Sequence, residues 1–98
     1  MRIQYDEGKN QKNIRKHGLS FETASIAFDD PSAVVIYDYT HSDSEDRYNL
    51  LGAVGSHILF IVYTARGETI RMISARPATR REKETYYQTL RGTHNDLI

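Results

Sequence analysis

Residues 57–87 read HILFIVYTARGETIRMISARPATRREKETYY and decide the fold. The run at 57–65 is apolar on both faces, which predicts a central strand of a sheet. The pair Arg66-Gly67 predicts a tight turn, and 68–76 predicts the second strand of an antiparallel hairpin. This hairpin is the centre around which the other elements are placed.

A helix is predicted directly after the hairpin. Thr79 and Glu82 have the spacing of a capping box, which opens a helix. We expect this helix to stop at Gly92, because glycine favours the end of a helix. Residues 93–98 are then expected to form a flexible tail, which leaves 1–92 as a single domain.

The first half of the chain predicts the remaining elements. Asp6 and Ser20 are suited to cap two helices, and Gly18 is suited to end the first of them in a left-handed conformation. The order β-α-α-β-β-β-β-α predicts an α+β fold: an antiparallel sheet of four or five strands, with two N-terminal helices and one C-terminal helix packed on one face. Strands are predicted at 2–5, 32–39 and 47–53, and helices at 7–17 and 21–28.

Composition excludes several classes of protein. The 98 residues contain no cysteine, which rules out disulfides, thiolate zinc sites and cysteine nucleophiles. No apolar run approaches a membrane span and the start lacks the apolar core of a signal peptide, so we expect a soluble cytoplasmic protein that does not contact a membrane. Thirteen basic residues balance thirteen acidic ones, which argues against indiscriminate coating of nucleic acid.

The charges are segregated along the chain. Every charged residue at 21–46 is acidic, whereas the charged residues at 47–81 are basic apart from Glu68. Guanidinium groups match phosphate oxygens, so arginines that cluster around the hairpin and the next helix predict a phosphate site. The alternative is that each arginine pairs with its own carboxylate. The five arginines are Arg66, Arg71, Arg76, Arg80 and Arg81.

The spacing of two of these arginines limits the prediction. Arg71 and Arg76 are separated by an odd number of residues, so regular alternation would place them on opposite faces of the sheet. They share a face only if a β-bulge or Pro77 redirects one of them.

Lys16 and His17 are candidates for proton transfer, because histidine titrates near neutral pH. The alternative is that both cations simply complement the negative end of the helix dipole. Of Tyr86 and Tyr87, one is expected in the core, and the other could stack on a base or donate a proton.

No cofactor or metal is expected. The histidines are scattered, without a pair at i and i+4, and the acidic loop lacks the spacing of a calcium loop. The glycines are dispersed turn residues and do not form a phosphate-binding loop.

Several short motifs occur in an order that resembles the BrnT family of type II toxins. The likeness runs from about Ile3 to Tyr87 and departs at Pro77, where many relatives carry a basic residue. The motifs are Arg15-Lys16-His17-Gly18, Ser20-Phe21-Glu22 with Ala24, Phe28-Asp29-Asp30-Pro31, His41-Ser42, Glu45 and Arg47 before Gly52, Val62-Tyr63-Thr64, and Arg71-Met72-Ile73-Ser74-Ala75-Arg76 with Ala78 and Arg81-Glu82.

The resemblance implies a fold similar to that of the RelE-type ribonucleases. It also implies metal-independent RNA cleavage that inhibits translation, and neutralisation by a BrnA-like antitoxin encoded alongside. Such antitoxins carry a ribbon-helix-helix DNA-binding domain, so operator DNA would be contacted only through the antitoxin.

Metal-independent cleavage uses the ribose 2′-hydroxyl as nucleophile and needs a base, an acid and fixed cations. We assign charge stabilisation to Arg76 and Arg80. Lys16 or His17 would be the base or the acid, and Tyr87 a proton donor or stacking partner. The expected RNA contacts are Arg47, Arg66, Arg71 and Arg81.

Two other functions stay open at this point. A non-catalytic module of the same fold would act as an antitoxin-bound co-repressor and would bind its partner without cleaving RNA. A nucleic-acid-binding protein that acts alone would show salt-sensitive affinity, but zero net charge makes this hypothesis the weakest of the three.

Overall fold

The structure is a computed structural model that describes residues 1–96, with side chains up to residue 92. The predicted order of elements is confirmed, although the second helix becomes a 3₁₀ helix after one turn. The strands are β1 (Arg2–Gln4), β2 (Val34–Tyr37), β3 (Arg47–Val54), β4 (His57–Arg66) and β5 (Thr69–Pro77). The helices are α1 (Glu7–His17), α2 (Phe21–Ala24), the 3₁₀ helix Ser25–Asp29, and α3 (Arg80–Asp96).

In the described part of the chain the strands form one five-stranded sheet in the order β1-β5-β4-β3-β2. Strands β2 to β5 are antiparallel, as predicted. The first strand pairs in parallel with β5, with Ile3 opposite Ile70. The sheet is therefore mixed, and the prediction of a purely antiparallel sheet is wrong, because pairing between the first and last strands is a long-range contact that no local pattern reports.

The central hairpin forms as predicted, with its turn displaced by one residue. Arg66 is the last residue of β4, and the turn is Gly67-Glu68. Gly67 has a φ of +58°, which a two-residue hairpin turn requires and which glycine adopts without strain.

A β-bulge in β5 changes which side chains share a face. Val62 pairs with Ser74 and Tyr63 with Met72, so Ile73 has no partner in the register. This extra residue reverses the alternation along the strand. As a result Met72 and Ala75, an odd number of residues apart, both enter the same core.

The bulge also resolves the position of two arginines. Arg71 pairs with Thr64 and Arg76 with Phe60, and residues at even spacing on β4 share a face. Both arginines therefore lie on the face opposite Met72, which the odd spacing alone did not predict.

Both faces of the sheet carry a hydrophobic cluster. On the first face, Leu50 and Met72 pack with Phe21 of α2. On the second face, Leu51 packs with Tyr86 of α3. Because Leu50 and Leu51 are neighbours on β3, their side chains point in opposite directions. The prediction that all helices pack on one face is therefore wrong, since α3 covers part of the second face.

Asp30 ties α3 to the sheet. Its Oδ2 accepts hydrogen bonds from the Tyr86 hydroxyl at 2.6 Å and from the Ala53 N–H at 2.8 Å. Burial alone would raise the pKa of Asp30, but the bonds from Tyr86, Ala53 and Ser32 lower it below its usual value. Burial and the bond to Asp30 raise the pKa of Tyr86 to about 12. Tyr86 is thus the core tyrosine of the predicted pair.

Helix α1 lies along the edge of β5 and is held there by a buried amide. Asp6 caps its start and Gly18, with a φ of 66°, ends it, as predicted. Strand β1 pairs only with residues 69–71 of β5. Further along this edge, the Asn13 amide donates to the Ala75 carbonyl at 2.8 Å and accepts from the Ala75 N–H at 3.1 Å, so it takes the place of a neighbouring strand. Asn13 also donates to the Leu19 carbonyl at 2.8 Å, so it fixes the turn into α2.

The capping box of α3 is confirmed, but its predicted end is wrong. The Glu82 N–H donates to the Thr79 hydroxyl, and the Thr79 N–H donates to Glu82 Oε1. The helix continues through Gly92 to Asp96, because a glycine within a helix lowers its stability without breaking it. Residues 97–98 of the predicted tail lie outside the described residues. The predicted end of the domain at residue 92 stays a prediction.

We expect Asn13→Ala to lower the free energy of unfolding by about 3 kcal/mol, because it leaves buried backbone groups unpaired. Gln11→Ala is the matched control, since this amide lies on the same helix but is exposed and, among the described residues, donates to Glu7. We expect the control to change stability by less than about 0.5 kcal/mol. Urea denaturation measures both values, and equal losses would contradict the role of Asn13.

Candidate active site

The register of three strands places Arg47, Thr64 and Arg71 in one row. Arg47 pairs with Thr64, and Thr64 pairs with Arg71, so the three side chains lie side by side on the second face. Helix α3 packs against Leu51 and Ile58 at the other end of this face. The row therefore stays open to a ligand.

A cavity of about 220 Å³ opens over this row, and we call it the arginine pocket. Helix α1 contributes Lys9 and the loop between β2 and β3 contributes His41. Three cations face one carboxylate, so the pocket has an excess of positive charge suited to phosphate. The pocket is lined by Lys9, His41, Ser44, Glu45, Arg47, Thr64, Arg71 and Ile73.

Arg47 and Arg71 differ from the other arginines of the predicted cluster. No carboxylate among the described residues forms an ion pair with either of them. Their donors are available to an incoming anion.

Arg66 lies beside the pocket and is neutralised. Its Nε and Nη2 donate to Glu45 at 3.1 and 2.8 Å. Hydrogen bonds from Arg66 and Thr64 lower the pKa of Glu45, so this carboxylate is ionised. The pair fixes the loop between β2 and β3 against the hairpin and thereby positions the loop residues that line the pocket.

His41 is oriented by a second carboxylate of the same loop. Its Nδ1 lies 3.0 Å from Asp38 Oδ2, and the Thr40 hydroxyl donates to Asp38 Oδ1 at 2.8 Å. Hydrogen bonds from Thr40 and then His41 lower the pKa of Asp38. An ionised Asp38 accepts a hydrogen bond from His41 Nδ1–H, which leaves Nε2 as the ring nitrogen that can accept a proton.

The predicted convergence of five arginines does not occur. Arg66 lies next to the turn of the hairpin, whereas Arg76 pairs with Phe60 towards its open end. Because Arg66 and Phe60 are six residues apart on β4, the two arginines are separated by roughly 20 Å along the hairpin. Arg76 donates to both oxygens of Glu82, at 2.8 and 2.9 Å, and its guanidinium lies 4.2 Å above the Phe60 ring. The bond to Glu82 raises the pKa of Arg76.

The remaining residues predicted on α3 lie away from the arginine pocket. Arg80 is 3.7 Å from Glu84, in a surface ion pair that contributes little. Arg81 is exposed on the first turn of α3. Tyr87 is 41% exposed and its ring packs edge-on against Tyr86. None of the three lines the arginine pocket.

Lys16 and His17 lie at the end of α1, and His17 faces a different cavity. That cavity, of about 210 Å³, is lined by His17, His57, Leu59, Pro77 and other residues, and no lysine or arginine is among them. Leu59 belongs to the first-face cluster, whereas Arg76 lies over Phe60 on the second face. The sheet therefore separates His17 from Arg76, and the structure does not bring these two predicted catalytic residues together.

The sequence predicted Arg47 and Arg71 as RNA contacts, which stays a prediction, and the structure places both in one pocket. Sequence reasoning did not select Lys9, His41 or Asp38, which lie beside them. His41 and Glu45 belong to the motifs that carry the family resemblance, so a signal for them existed. Lys9 had none, since only the docking of α1 on the β5 edge brings it to the pocket.

Two further findings concern the described residues as a whole. No group of three histidine, aspartate or glutamate side chains comes together there as a metal-ligand set. Within residues 1–96, none of the helices has the length and apolarity that crossing a bilayer requires.

The fold and the pocket define a small α+β protein with a pocket lined by lysine and arginine on an open sheet face. Residues 5–82 match the family described as ribonuclease toxin, BrnT, of type II toxin-antitoxin system. The match covers most of the chain, so the chain belongs to the BrnT family of ribonuclease toxins. A toxin of this class has an antitoxin partner and an RNA substrate. No curated protein matches the chain.

We expect Glu82→Gln to lower the free energy of unfolding near neutral pH by about 1 kcal/mol, because it removes the charge that pairs with Arg76. The amide of glutamine can still accept the hydrogen bond from the Thr79 N–H that caps the helix. The bond from Arg76 lowers the pKa of Glu82 from 4.5. The stabilisation is therefore present above pH 4.5 and is lost as the pH falls through the lowered value.

Thermal unfolding of both proteins at about pH 7 and about pH 3 tests this sign, and the two melting temperatures should converge in acid. Glu84→Gln is the control, because its partner Arg80 is 95% exposed. A difference between wild type and Glu82→Gln that is equal at both pH values would contradict the assignment.

Proposed function

We propose that this chain is a metal-independent endoribonuclease whose active site is the arginine pocket. The single observation that carries the proposal is the row of Arg47, Thr64 and Arg71 beside His41. The pocket brings together an oriented histidine and two arginines that have no ion-pair partner among the described residues. Family membership supports RNA as the substrate.

The cations bind the scissile phosphate and stabilise the charge that builds on it. Arg47 and Arg71 donate to the non-bridging oxygens, because their guanidinium groups have no carboxylate partner among the described residues. The charge on phosphorus increases as the ribose 2′-oxygen attacks, so fixed donors there stabilise the transition state more than the ground state.

His41 acts as the base. Its Nε2 takes the proton of the 2′-hydroxyl as the 2′-oxygen forms its bond to phosphorus and the bond to the 5′-oxygen breaks. Asp38 holds the ring through Nδ1 and stabilises the imidazolium that results. The ammonium group of Lys9 gives a proton to the leaving 5′-oxygen. The products are a 2′,3′-cyclic phosphate and a 5′-hydroxyl end.

Membership of a type II toxin family supports a proposal for the cellular setting. We propose that the toxin acts in the cytoplasm, inhibits translation, and is neutralised by a BrnA-like ribbon-helix-helix antitoxin that carries the complex to operator DNA. We also propose that the fold is related to that of RelE-type ribonucleases, which the sheet with flanking helices supports.

The sequence-based assignment of Lys16, His17, Arg76, Arg80 and Tyr87 to catalysis gives a competing site. His41→Ala and Arg71→Ala should each lower the cleavage rate about 100-fold or more. The first variant removes the proposed base, and the second removes a cation that stabilises the charge on phosphorus. His17→Ala and Arg81→Ala are the matched controls, because neither residue lines the arginine pocket, and both should stay within about threefold of wild type.

Single-turnover cleavage of a labelled RNA measures these rates. A full loss of activity in His17→Ala with normal activity in His41→Ala would move the catalytic site to the end of α1.

The metal requirement is tested with purified wild-type protein. We expect equal cleavage rates with excess EDTA and with added Mg²⁺, because a histidine base and arginine cations replace the metal. The fragments should carry a 2′,3′-cyclic phosphate, detected by mass spectrometry. A rate restored only by a divalent cation would contradict the mechanism. Intact RNA under both conditions would favour the non-catalytic partner-binding module instead.

A further inference from the structure

The first face of the sheet is only partly covered by helices. Beyond Tyr63 an apolar groove of about 380 Å³ stays open, and we call it the tyrosine groove. Val35 at its edge is 52% exposed, so it extends the apolar patch of the groove to solvent. The groove is lined by Met1, Val35, Tyr48, Tyr63, Ala65, Gly67, Glu68 and Ile70.

Aromatic rings make the floor of this groove rigid. Tyr48 stacks on Tyr63 at 5.5 Å, and Tyr63 contacts Phe28 at 5.1 Å. The series continues outward from Tyr48 to Tyr37 and then to Tyr39, at 5.4 and 4.7 Å. Interlocked tyrosines lose little side-chain entropy when a partner binds, and such residues are enriched where proteins bind one another.

The charges beside the groove select its occupant. Glu68 lines the groove, and Asp46 accepts a hydrogen bond from the Tyr37 hydroxyl at 2.9 Å. This negative potential disfavours RNA phosphates and disfavours a second copy of the same surface. It favours a basic protein segment.

The dimensions of the groove indicate a helix. Its lining residues come from β2, β3, β4 and β5 in turn, so it crosses three strand spacings, about 14 Å. An α-helix covers that distance in about nine residues, with apolar side chains at i, i+3 or i+4, and i+7. A helix there would extend the layer that α2 and the 3₁₀ helix already form on this face.

We propose that the tyrosine groove binds an amphipathic helix of the antitoxin, with an apolar stripe bordered by lysine or arginine. The inference rests on the proposed function in one respect, namely that the chain has an antitoxin. The helix binds the first face, whereas the arginine pocket lies on the second face. Contacts with partner and with RNA are therefore separable by mutation.

The test is a titration of the full chain with two labelled helical peptides, followed by fluorescence anisotropy at low salt. Both peptides carry the same leucine stripe, and one is bordered by lysines and the other by glutamates. We expect the lysine peptide to bind at least about tenfold more tightly, because its charge complements Glu68 and Asp46.

Two adjacent residues of β2 provide matched variants. Val35 faces the groove and Ile36, 45% exposed, faces the other side of the sheet. We expect Val35→Gln to weaken the lysine peptide about tenfold by removing apolar contact, and Ile36→Gln to change affinity less than about twofold.

Three results would overturn the proposal: no saturable binding of the lysine peptide, equal affinity for both peptides, or equal losses in the two variants. Self-association of wild type that disappears in Val35→Gln would also overturn it, by assigning the groove to a second copy. Val35→Gln should cleave RNA at the wild-type rate. If the wild-type protein does not cleave RNA, the proposed function fails. The titration still shows whether the tyrosine groove binds a basic amphipathic helix.

Discussion

The single extra residue at Ile73 is the constraint on which the functional surface depends. The bulge lets Met72 and Ala75 both enter the first-face core, although regular alternation would send one of them to solvent. The same reversal places Arg71 and Arg76 on the second face. A regular strand would have to expose a core residue or bury a charge, both of which are costly. The hydrophobic core therefore determines where the cations point.

Arginine ion pairs then decide which of these cations can bind a ligand. Arg66 and Arg76 each form a two-point contact with a carboxylate, which fixes a loop in one case and the start of α3 in the other. Such pairs orient structure but leave little positive charge for a ligand. Arg47 and Arg71 have no ion-pair partner among the described residues, so their donors remain available to an anion. The distribution of carboxylates, and not the number of arginines, therefore defines the candidate site.

The loop between β2 and β3 connects the two surfaces of the protein. On the second face it contributes His41, held by Asp38, to the arginine pocket. On the first face Asp46, at the end of the same loop, contacts Tyr37 beside the tyrosine groove. A partner that binds the groove thus lies close to the segment that orients the proposed base, although the sheet separates it from the RNA.

The sequence alone determined the order of elements, the caps at Asp6 and Thr79, and the central strand β4. These features depend on hydrogen bonds within a few residues and on hydrophobic periodicity, which are local. The family resemblance also came from short motifs. Only the tertiary structure decided the parallel pairing of β1 with β5, the bulge at Ile73, the face covered by α3 and the meeting of Lys9 with His41. These depend on contacts between distant segments, and the balance of core packing and charge pairing that selects them is settled only when the whole chain folds.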